Sequence, residues 1–122
     1  MKFTESHEWI ENDTATQIAT VGVTNFAQHE LGEIVYVELP QIGKNVKAGE
    51  ESAVLESTKA AADVYSPVSG TIIEVNQRLS SSSELINQSP EKEGWIFKIK
   101  LSQPEELKKL LDINSYQKII KP

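Results

Sequence analysis

The sequence contains no cysteine among its 122 residues. This absence excludes disulfide bonds, thiolate metal sites and a cysteine nucleophile, so any sulfur chemistry would have to come from an attached group. Long hydrophobic runs are also missing, and residues 1–8 carry neither the apolar core of a signal peptide nor an Arg/Ser-rich transit pattern. We therefore expect a cytoplasmic protein.

Positive charge is scarce as well. The chain has 12 Lys and Arg against 18 Asp and Glu, a formal net charge of −6. Such a surface repels phosphate backbones and anionic lipid headgroups, so nucleic acid and membrane are poor partners and other proteins are the expected ones. The two histidines, His7 and His29, lack the spacing of metal ligands and have no third ligand beside them, so no metal site is predicted and both are assigned to surface or packing roles.

Short alternations of apolar and polar residues dominate the chain. With 39% hydrophobic content over 122 residues, they predict a single, mainly β domain over residues 1–122, with half-buried antiparallel strands. A hairpin turn is predicted at residues 11–13, and Trp9 and Trp95 are expected to pack in the core. The predicted strands are 7–11, 15–22, 33–39, 53–57, 62–66, 70–75 and 95–100.

Three helical segments are predicted. Thr24 is a candidate N-cap for a short helix over residues 25–31. Ser102, followed by a proline and Glu105, predicts a capped helix with a leucine stripe, and a last segment over 114–120 is expected to bury Tyr116, Ile119 and Ile120. By contrast, the serine-rich stretch 78–92 predicts a loop of modest order, anchored only by Leu85 and Ile86.

The most distinctive local pattern is a hairpin centred on Lys59. Two alternating strands of equal length flank a tight turn of small residues, and turn side chains of such hairpins point to solvent. Lys59 should therefore be the most exposed residue of the segment, with nothing large beside it to shield its amine from the active site of another protein. An exposed turn lysine, one of eleven lysines in the chain, is by itself better explained as a solvated charge than as a modification site.

Several short motifs surround this hairpin on both sides. In chain order they are SHEW (6–9), VGVT (21–24), AQ (27–28), LGE (31–33), VELP (37–40), ESTKA (56–60), YSPVSG (65–70), EVN (74–76) and GW (94–95). Their order and spacing, over nearly the whole chain, resemble the H protein family of the glycine cleavage system. The resemblance implies a barrel-sandwich hybrid of the lipoyl/biotinyl-like type, with a core at about 18–100 and a C-terminal helical extension at about 103–121.

The same resemblance implies that Lys59 carries lipoate in amide linkage. Glu56, Gly43 and Gly70 match the positions that lipoylating enzymes recognise in the family. Glycine permits backbone conformations that would shape the turns at the base of the hairpin, and Glu56 offers a charge for the modifying enzyme to recognise.

A pocket for the lipoyl arm is implied by three further matches, Ser6, Glu8 and Asp63. A carboxylate beside an amine favours the charged form of that amine, and exclusion of water slows hydrolysis. Without the resemblance, the same residues are explained as an ordinary polar strand edge and a solvent-facing aspartate.

The implied function is that of a non-catalytic, monomeric carrier. It would move the aminomethyl group of glycine on a lipoyl-lysine arm from the glycine decarboxylase (P protein) to the aminomethyltransferase (T protein). Dihydrolipoamide dehydrogenase (L protein) and lipoylating enzymes complete the expected partners. A tethered group reaches each active site at a raised effective concentration.

Other functions stay open at this point. The chain could relay lipoyl groups to 2-oxoacid dehydrogenases, or it could be an unmodified interaction domain with the same fold. Biotin is not expected, because biotin carriers place methionines on both sides of the modified lysine, whereas Thr58 and Ala60 flank Lys59. A Ser6, His7 and Asp63 hydrolase is conceivable, but no nucleophile elbow supports it.

Overall fold

The computed structural model describes residues 1–121. Within this range the chain forms nine strands, three α-helices and two 3-10 helices. The strands are β1 (Lys2–Phe3), β2 (Glu8–Asp13), β3 (Ile18–Val23), β4 (Ile34–Glu38), β5 (Asn45–Val46), β6 (Glu51–Ser57), β7 (Ala61–Tyr65), β8 (Gly70–Val75) and β9 (Phe97–Leu101). The α-helices are α1 (Asn25–Leu31), α2 (Leu85–Gln88) and α3 (Ile113–Ile120), and the 3-10 helices are Gln77–Ser80 and Pro104–Lys109.

Two antiparallel sheets make up the body of the molecule. The larger has the strand order β1-β2-β3-β9-β8-β5, and the smaller has the order β4-β6-β7. This confirms the predicted mainly β, antiparallel fold with short helices. Among residues 1–121, no helix is long and apolar enough to cross a membrane.

The main core lies where alternate residues of the two sheets meet. Leu55 of the small sheet and Ile72 and Ile99 of the large one are fully buried in it. Leu85 and Ile86 of α2 join the same cluster. A second, smaller cluster of Phe3, Trp9 and Tyr116, with Trp95 packed against it, seats α3 beside the large sheet, so Trp9 is buried as predicted and Trp95 is half-buried.

The predicted helix over residues 25–31 is confirmed. The Oγ1 atom of Thr24 accepts a hydrogen bond from the backbone N–H of Ala27 at 3.2 Å, which caps the start of α1. Gly32 ends the helix with a φ of 82°, a left-handed value that glycine adopts without steric cost.

The predicted turn at residues 11–13 is wrong. These residues continue β2, paired in register with β3 up to Asp13 and Ile18. The turn follows at residues 14–17, where the Asp13 carboxylate accepts the N–H of Ala15 and Gln17 has a φ of 59°. The short strands β1 and β5 were not predicted, because two residues are too few for an alternating pattern.

The stretch 78–92 is not the loop of modest order that its serines predicted. It contains the end of one 3-10 helix and all of α2, with Leu79 buried alongside Leu85 and Ile86. Side-chain hydrogen bonds to distant backbone also anchor it, since Trp9 Nε1 donates to the Pro90 carbonyl at 3.0 Å and Asn87 Nδ2 donates to the Gly32 carbonyl at 2.8 Å.

The C-terminal region is helical, but its details differ from the predictions. Ser102 does not cap a helix: residues Pro104–Lys109 form a 3-10 helix, whose N-cap residue Gln103 makes no side-chain cap hydrogen bond. The last helix begins at Ile113 rather than 114, and of its apolar residues Tyr116 is buried whereas Ile119 is 45% exposed. Fewer residues of α3 are therefore buried than the sequence predicted.

Candidate functional site

Lys59 lies at the tip of the hairpin formed by β6 and β7. The strands pair in register from Glu56 and Ala61 inwards, which leaves only residues 58–60 for the turn. The Ser57 hydroxyl accepts hydrogen bonds from the N–H groups of Lys59 and Ala60, both at 3.1 Å, and so stiffens the turn. The exposure expected for Lys59 is observed.

The amine of Lys59 is not as free as the sequence suggested. Its Nζ atom donates a hydrogen bond to the carbonyl of Glu30 at 3.3 Å, in the last turn of α1. Its aliphatic stem lies against Gly32, where a Cβ would be 3.0 Å from the Lys59 Cε atom. A cation is favoured at the C-terminal end of a helix, so this contact directs the side chain across the end of α1.

A pocket of about 300 Å³ opens beside that helix end. Its apolar wall comes from β3, α1, β6 and β7, and its polar wall comes from the segment leading into β2, together with Glu30 and Asp63. The lining residues are Ser6, His7, Glu8, Val23, Phe26, Ala27, Glu30, Leu31, Leu55, Ala62, Asp63 and Val64. The structure thus brings Ser6, Glu8 and Asp63 together in one cavity.

Glu8 is the most buried of the three, at 2% exposure. One carboxylate oxygen accepts hydrogen bonds from the hydroxyls of Thr4 at 2.5 Å and Ser6 at 2.6 Å. The other accepts the backbone N–H of Tyr65 at 3.2 Å, which ties β2 to the end of β7. These three donors compensate for the water that the carboxylate loses on burial. The extensive burial of Glu8 was not predicted.

Ser6 and Asp63 complete the polar part of the pocket. Ser6 is exposed and donates to Glu8, so it does not form a nucleophile pair with a histidine. Asp63 is exposed on β7, the edge strand of the small sheet, opposite Val54. Glu8 and Asp63 therefore line the same cavity but differ in burial, since Glu8 is buried and Asp63 is exposed.

The three residues assigned to enzyme recognition lie at different places. Glu56 is exposed on β6, next to the turn and opposite Tyr36 of β4. Gly43 has a φ of 94°, which fits the expected turn conformation. Gly70 does not shape a turn: it lies in β8, where a Cβ would be 2.1 Å from the carbonyl oxygen of Lys100. Its small size is needed for the close approach of β9.

His7, which the sequence assigned to a surface or packing role, lies in the lining of the pocket. Its imidazole lines the pocket, and its Nδ1 atom lies 2.9 Å from the hydroxyl of Tyr116, a partner 109 residues away. No local spacing could have revealed a contact over that distance. His29, in contrast, is exposed, as expected for a surface histidine.

The arrangement provides an exposed lysine beside a cavity with an apolar wall and three carboxylate residues, Glu8, Glu30 and Asp63. A pocket of this kind can hold a hydrocarbon chain and favour a positively charged group at its polar end.

Comparison with known proteins gives a consistent result. The family model described as "Glycine cleavage H-protein" matches residues 1–122. The glycine cleavage system H protein of Thermotoga maritima is 53% identical over 116 residues, 95% of this chain and 92% of that protein. The H protein of Escherichia coli O7:K1 is 49% identical over 120 residues, 98% of this chain and 92% of that protein.

A solved structure agrees with the sequence matches. The crystal structure of the glycine cleavage system H protein from Mycobacterium marinum superposes with a TM-score of 0.87 at 33% identity, covering 96% of this chain and 93% of that one. Sequence and fold therefore match over nearly the full length. The chain belongs to the glycine cleavage H-protein family.

Proposed function

We propose that Lys59 is the lipoyl attachment site and that the pocket of Ser6, Glu8 and Asp63 receives the arm. Membership of the family makes the chain a non-catalytic lipoyl carrier of glycine cleavage, with the P, T and L proteins as its partners. The proposal assigns this function to particular residues of the chain. The observation that carries it is the hydrogen bond between the Lys59 amine and Glu30, a residue that also lines the pocket.

The residues of the pocket fit the chemical character of a lipoyl group. Bound in amide linkage, lipoate supplies the disulfide that a chain without cysteine lacks. Leu31, Leu55 and Val64 offer apolar surface to a hydrocarbon chain that starts from the neighbouring lysine. Glu30 accepts the hydrogen bond from the Lys59 amine and also lines the pocket, so the attachment point and the cavity meet at the C-terminal end of α1.

Each polar residue has a separate task in this proposal. Glu8 and Asp63 face a positively charged amine and hold its proton on the nitrogen, since an adjacent carboxylate stabilises the charged form. Ser6 orients the Glu8 carboxylate through its 2.6 Å hydrogen bond. The apolar residues keep water away from the same region.

The recognition of Lys59 by lipoylating enzymes is proposed to depend on Glu56 and on the shape of the hairpin. Glu56 is an exposed charge beside the turn. Gly43 and Gly70 act at a distance, because Gly43 supplies a left-handed turn and Gly70 lets β8 and β9 approach closely. In this proposal Glu56 contacts the lipoylating enzyme, whereas Gly43 and Gly70 preserve the fold.

The extent and location of the carrier are also part of the proposal. We propose one lipoyl-carrier domain over residues 1–122, which is supported by a core cluster that runs from Ile10 to Leu101. A cytoplasmic location is proposed from the match to bacterial H proteins such as that of Vibrio vulnificus, 49% identical over 116 residues.

The test of the attachment site is an intact mass measurement. Protein produced with lipoate and a competent ligase should gain the mass of one lipoyl amide, and Lys59→Arg should abolish the gain. Lys47→Arg, at an exposed lysine next to another turn, is the matched control and should keep it. An unmodified wild-type chain, or a gain that survives in Lys59→Arg, would sink the proposal and favour an unmodified interaction domain or another attachment site.

A further inference from the structure

The imidazole of His7 forms part of the pocket wall and is held in an unusual backbone conformation. Its φ is 73°, in the left-handed region that residues other than glycine adopt rarely and at an energetic cost. Two backbone hydrogen bonds impose this conformation, from the N–H of His7 to Thr4 at 3.1 Å and from the N–H of Thr24 to the carbonyl of His7 at 3.0 Å. Its ring then packs on Phe26 of α1, with 4.8 Å between ring centroids.

The hydroxyl of Tyr116 contacts two residues, His7 and Thr24. It is 2.9 Å from His7 Nδ1 and 2.7 Å from Thr24 Oγ1. Tyr116 is 3% exposed and Thr24 is 1% exposed, so neither polar group has water as an alternative partner. Burial raises the pKa of Tyr116, which leaves the hydroxyl protonated at neutral pH, able to donate one hydrogen bond and accept another.

Thr24 connects this hydroxyl to helix α1, which also lines the pocket. It is the N-cap of α1, accepting from the N–H of Ala27. Helix α1 contributes Phe26, Ala27, Glu30 and Leu31 to the cavity. The hydroxyl of Tyr116 in α3 therefore contacts His7 directly and α1 through its N-cap residue Thr24.

We propose that Tyr116 is a positioning residue of the carrier pocket, holding His7 against Phe26 so that the wall between β2 and α1 stays closed to water. The proposal deepens the proposed function and rests on it. It gives the C-terminal helix, which lies outside both sheets, a role in the protection of the bound group.

The direct test is Tyr116→Phe. This variant keeps the ring that stacks on Phe3 with 4.7 Å between centroids and removes only the hydroxyl. In the unlipoylated protein, the ¹⁵N resonance of His7 Nδ1 should shift, because its partner is lost. In the lipoylated protein loaded from glycine, ammonia release without tetrahydrofolate should accelerate roughly three- to tenfold, the range expected for the loss of one hydrogen bond.

A double variant tests whether Tyr116 acts through His7. His7→Gly removes the imidazole and tolerates the left-handed backbone. It should accelerate ammonia release to a similar extent, and Tyr116→Phe in the His7→Gly background should add little, since residues that act together are not additive. Full additivity of the two effects would overturn the proposed route through His7.

Ile120→Ala is the control for a merely structural role. Ile120 packs in the same small cluster as Tyr116 but does not line the pocket, so the variant should lower the melting temperature and leave ammonia release unchanged. Equal acceleration in Ile120→Ala, or an unchanged release rate in Tyr116→Phe, would overturn the inference. Neither result touches the proposed function, which fails only if Lys59 is unmodified or if Glu8 variants also leave the release rate unchanged.

Discussion

Glu8 is buried and also lines the pocket. A buried carboxylate without partners is strongly destabilising, but Glu8 has hydrogen bonds from Thr4, Ser6 and the backbone of Tyr65. These hydrogen bonds fix the position of the Glu8 carboxylate in the lining of the pocket.

Two substitutions separate the charge of Glu8 from its hydrogen bonds. Glu8→Gln keeps an oxygen to accept hydrogen bonds but removes the charge, and Glu8→Ala removes both. Both variants of the lipoylated, glycine-loaded protein should release ammonia faster without tetrahydrofolate, by roughly tenfold or more, because a charge-assisted interaction contributes about 1.5–3 kcal/mol.

The measurement is the rate of free ammonia formation, compared with that of Glu11→Gln. Glu11 is an exposed glutamate of the same strand, paired with the N-terminus, and its neutral variant should behave as wild type. A release rate that stays the same in both Glu8 variants would show that this carboxylate does not protect the bound group.

At the scale of single residues, the sequence pattern was informative about exposure to solvent. The exposure of Lys59 could be predicted because a turn between two matched strands has no core-facing position. The burial of Glu8 and the contact of His7 with Tyr116 could not, because both depend on partners far along the chain. Gly70 was assigned to a turn, whereas its reason is a close backbone contact that only the pairing of β8 and β9 reveals.

At the scale of elements, α3 depends on its N-cap. Asp112 accepts the N–H of Ser115 at 2.8 Å. The hydrogen bonds from Ser115 lower the pKa of Asp112 below its ordinary value of 3.8. A carboxyl whose pKa is lower in the folded state stabilises that state above the unfolded pKa, and this stabilisation disappears as the pH falls through the folded pKa.

The second prediction is a pH-dependent difference between wild type and Asp112→Asn. Asparagine can cap the helix but does not titrate in this range. The wild type should melt at a higher temperature than the variant at pH 7, and the gap should close as the pH falls from about 5 to about 2. Thermal unfolding followed by circular dichroism at both ends of this range measures it. A gap that widens in acid would contradict the assigned sign.

Elements with a strong local signal were predicted well. The helix α1 and its Thr24 cap, the hairpin of β6 and β7, and β8 all depend on spacing or turn chemistry within a few residues. The stretch 78–92 was misassigned because its order comes from tertiary contacts, above all the buried Leu79 and the hydrogen bond from Asn87 to Gly32. Ser102 resembled a cap because the sequence pattern does not distinguish a 3-10 helix from an α-helix.

At the scale of the whole molecule, charge is distributed unevenly between the two sheets. The strands of the small sheet, β4, β6 and β7, carry Glu38, Glu51, Glu56 and Asp63 and contain no lysine or arginine. The large sheet has acidic residues in β2 and β8, but lysines in β1 and β9 offset most of their charge. Lys59 extends from the small sheet, so under the proposed function a partner that receives the lipoyl arm would dock near these acidic residues.

The last prediction follows from that asymmetry. Steering between opposite charges raises association rates and is screened by salt beyond about 10 Å at 0.1 M ionic strength. The KM of glycine decarboxylase for the lipoylated carrier should therefore rise with added salt while kcat stays constant. Glu38→Lys should raise KM roughly two- to fivefold at low salt, and this effect should shrink as the salt concentration increases.

Glu105→Lys is the matched control. It causes the same change in net charge, from −6 to −4, but at an exposed position on the 3-10 helix that follows β9. If the acidic side of the small sheet is where the partner docks, the two variants must differ although their net charges are equal. An equal rise in KM for both would mean that only the total charge matters, and a change in kcat for Glu38→Lys would place the effect on the reaction rather than on docking.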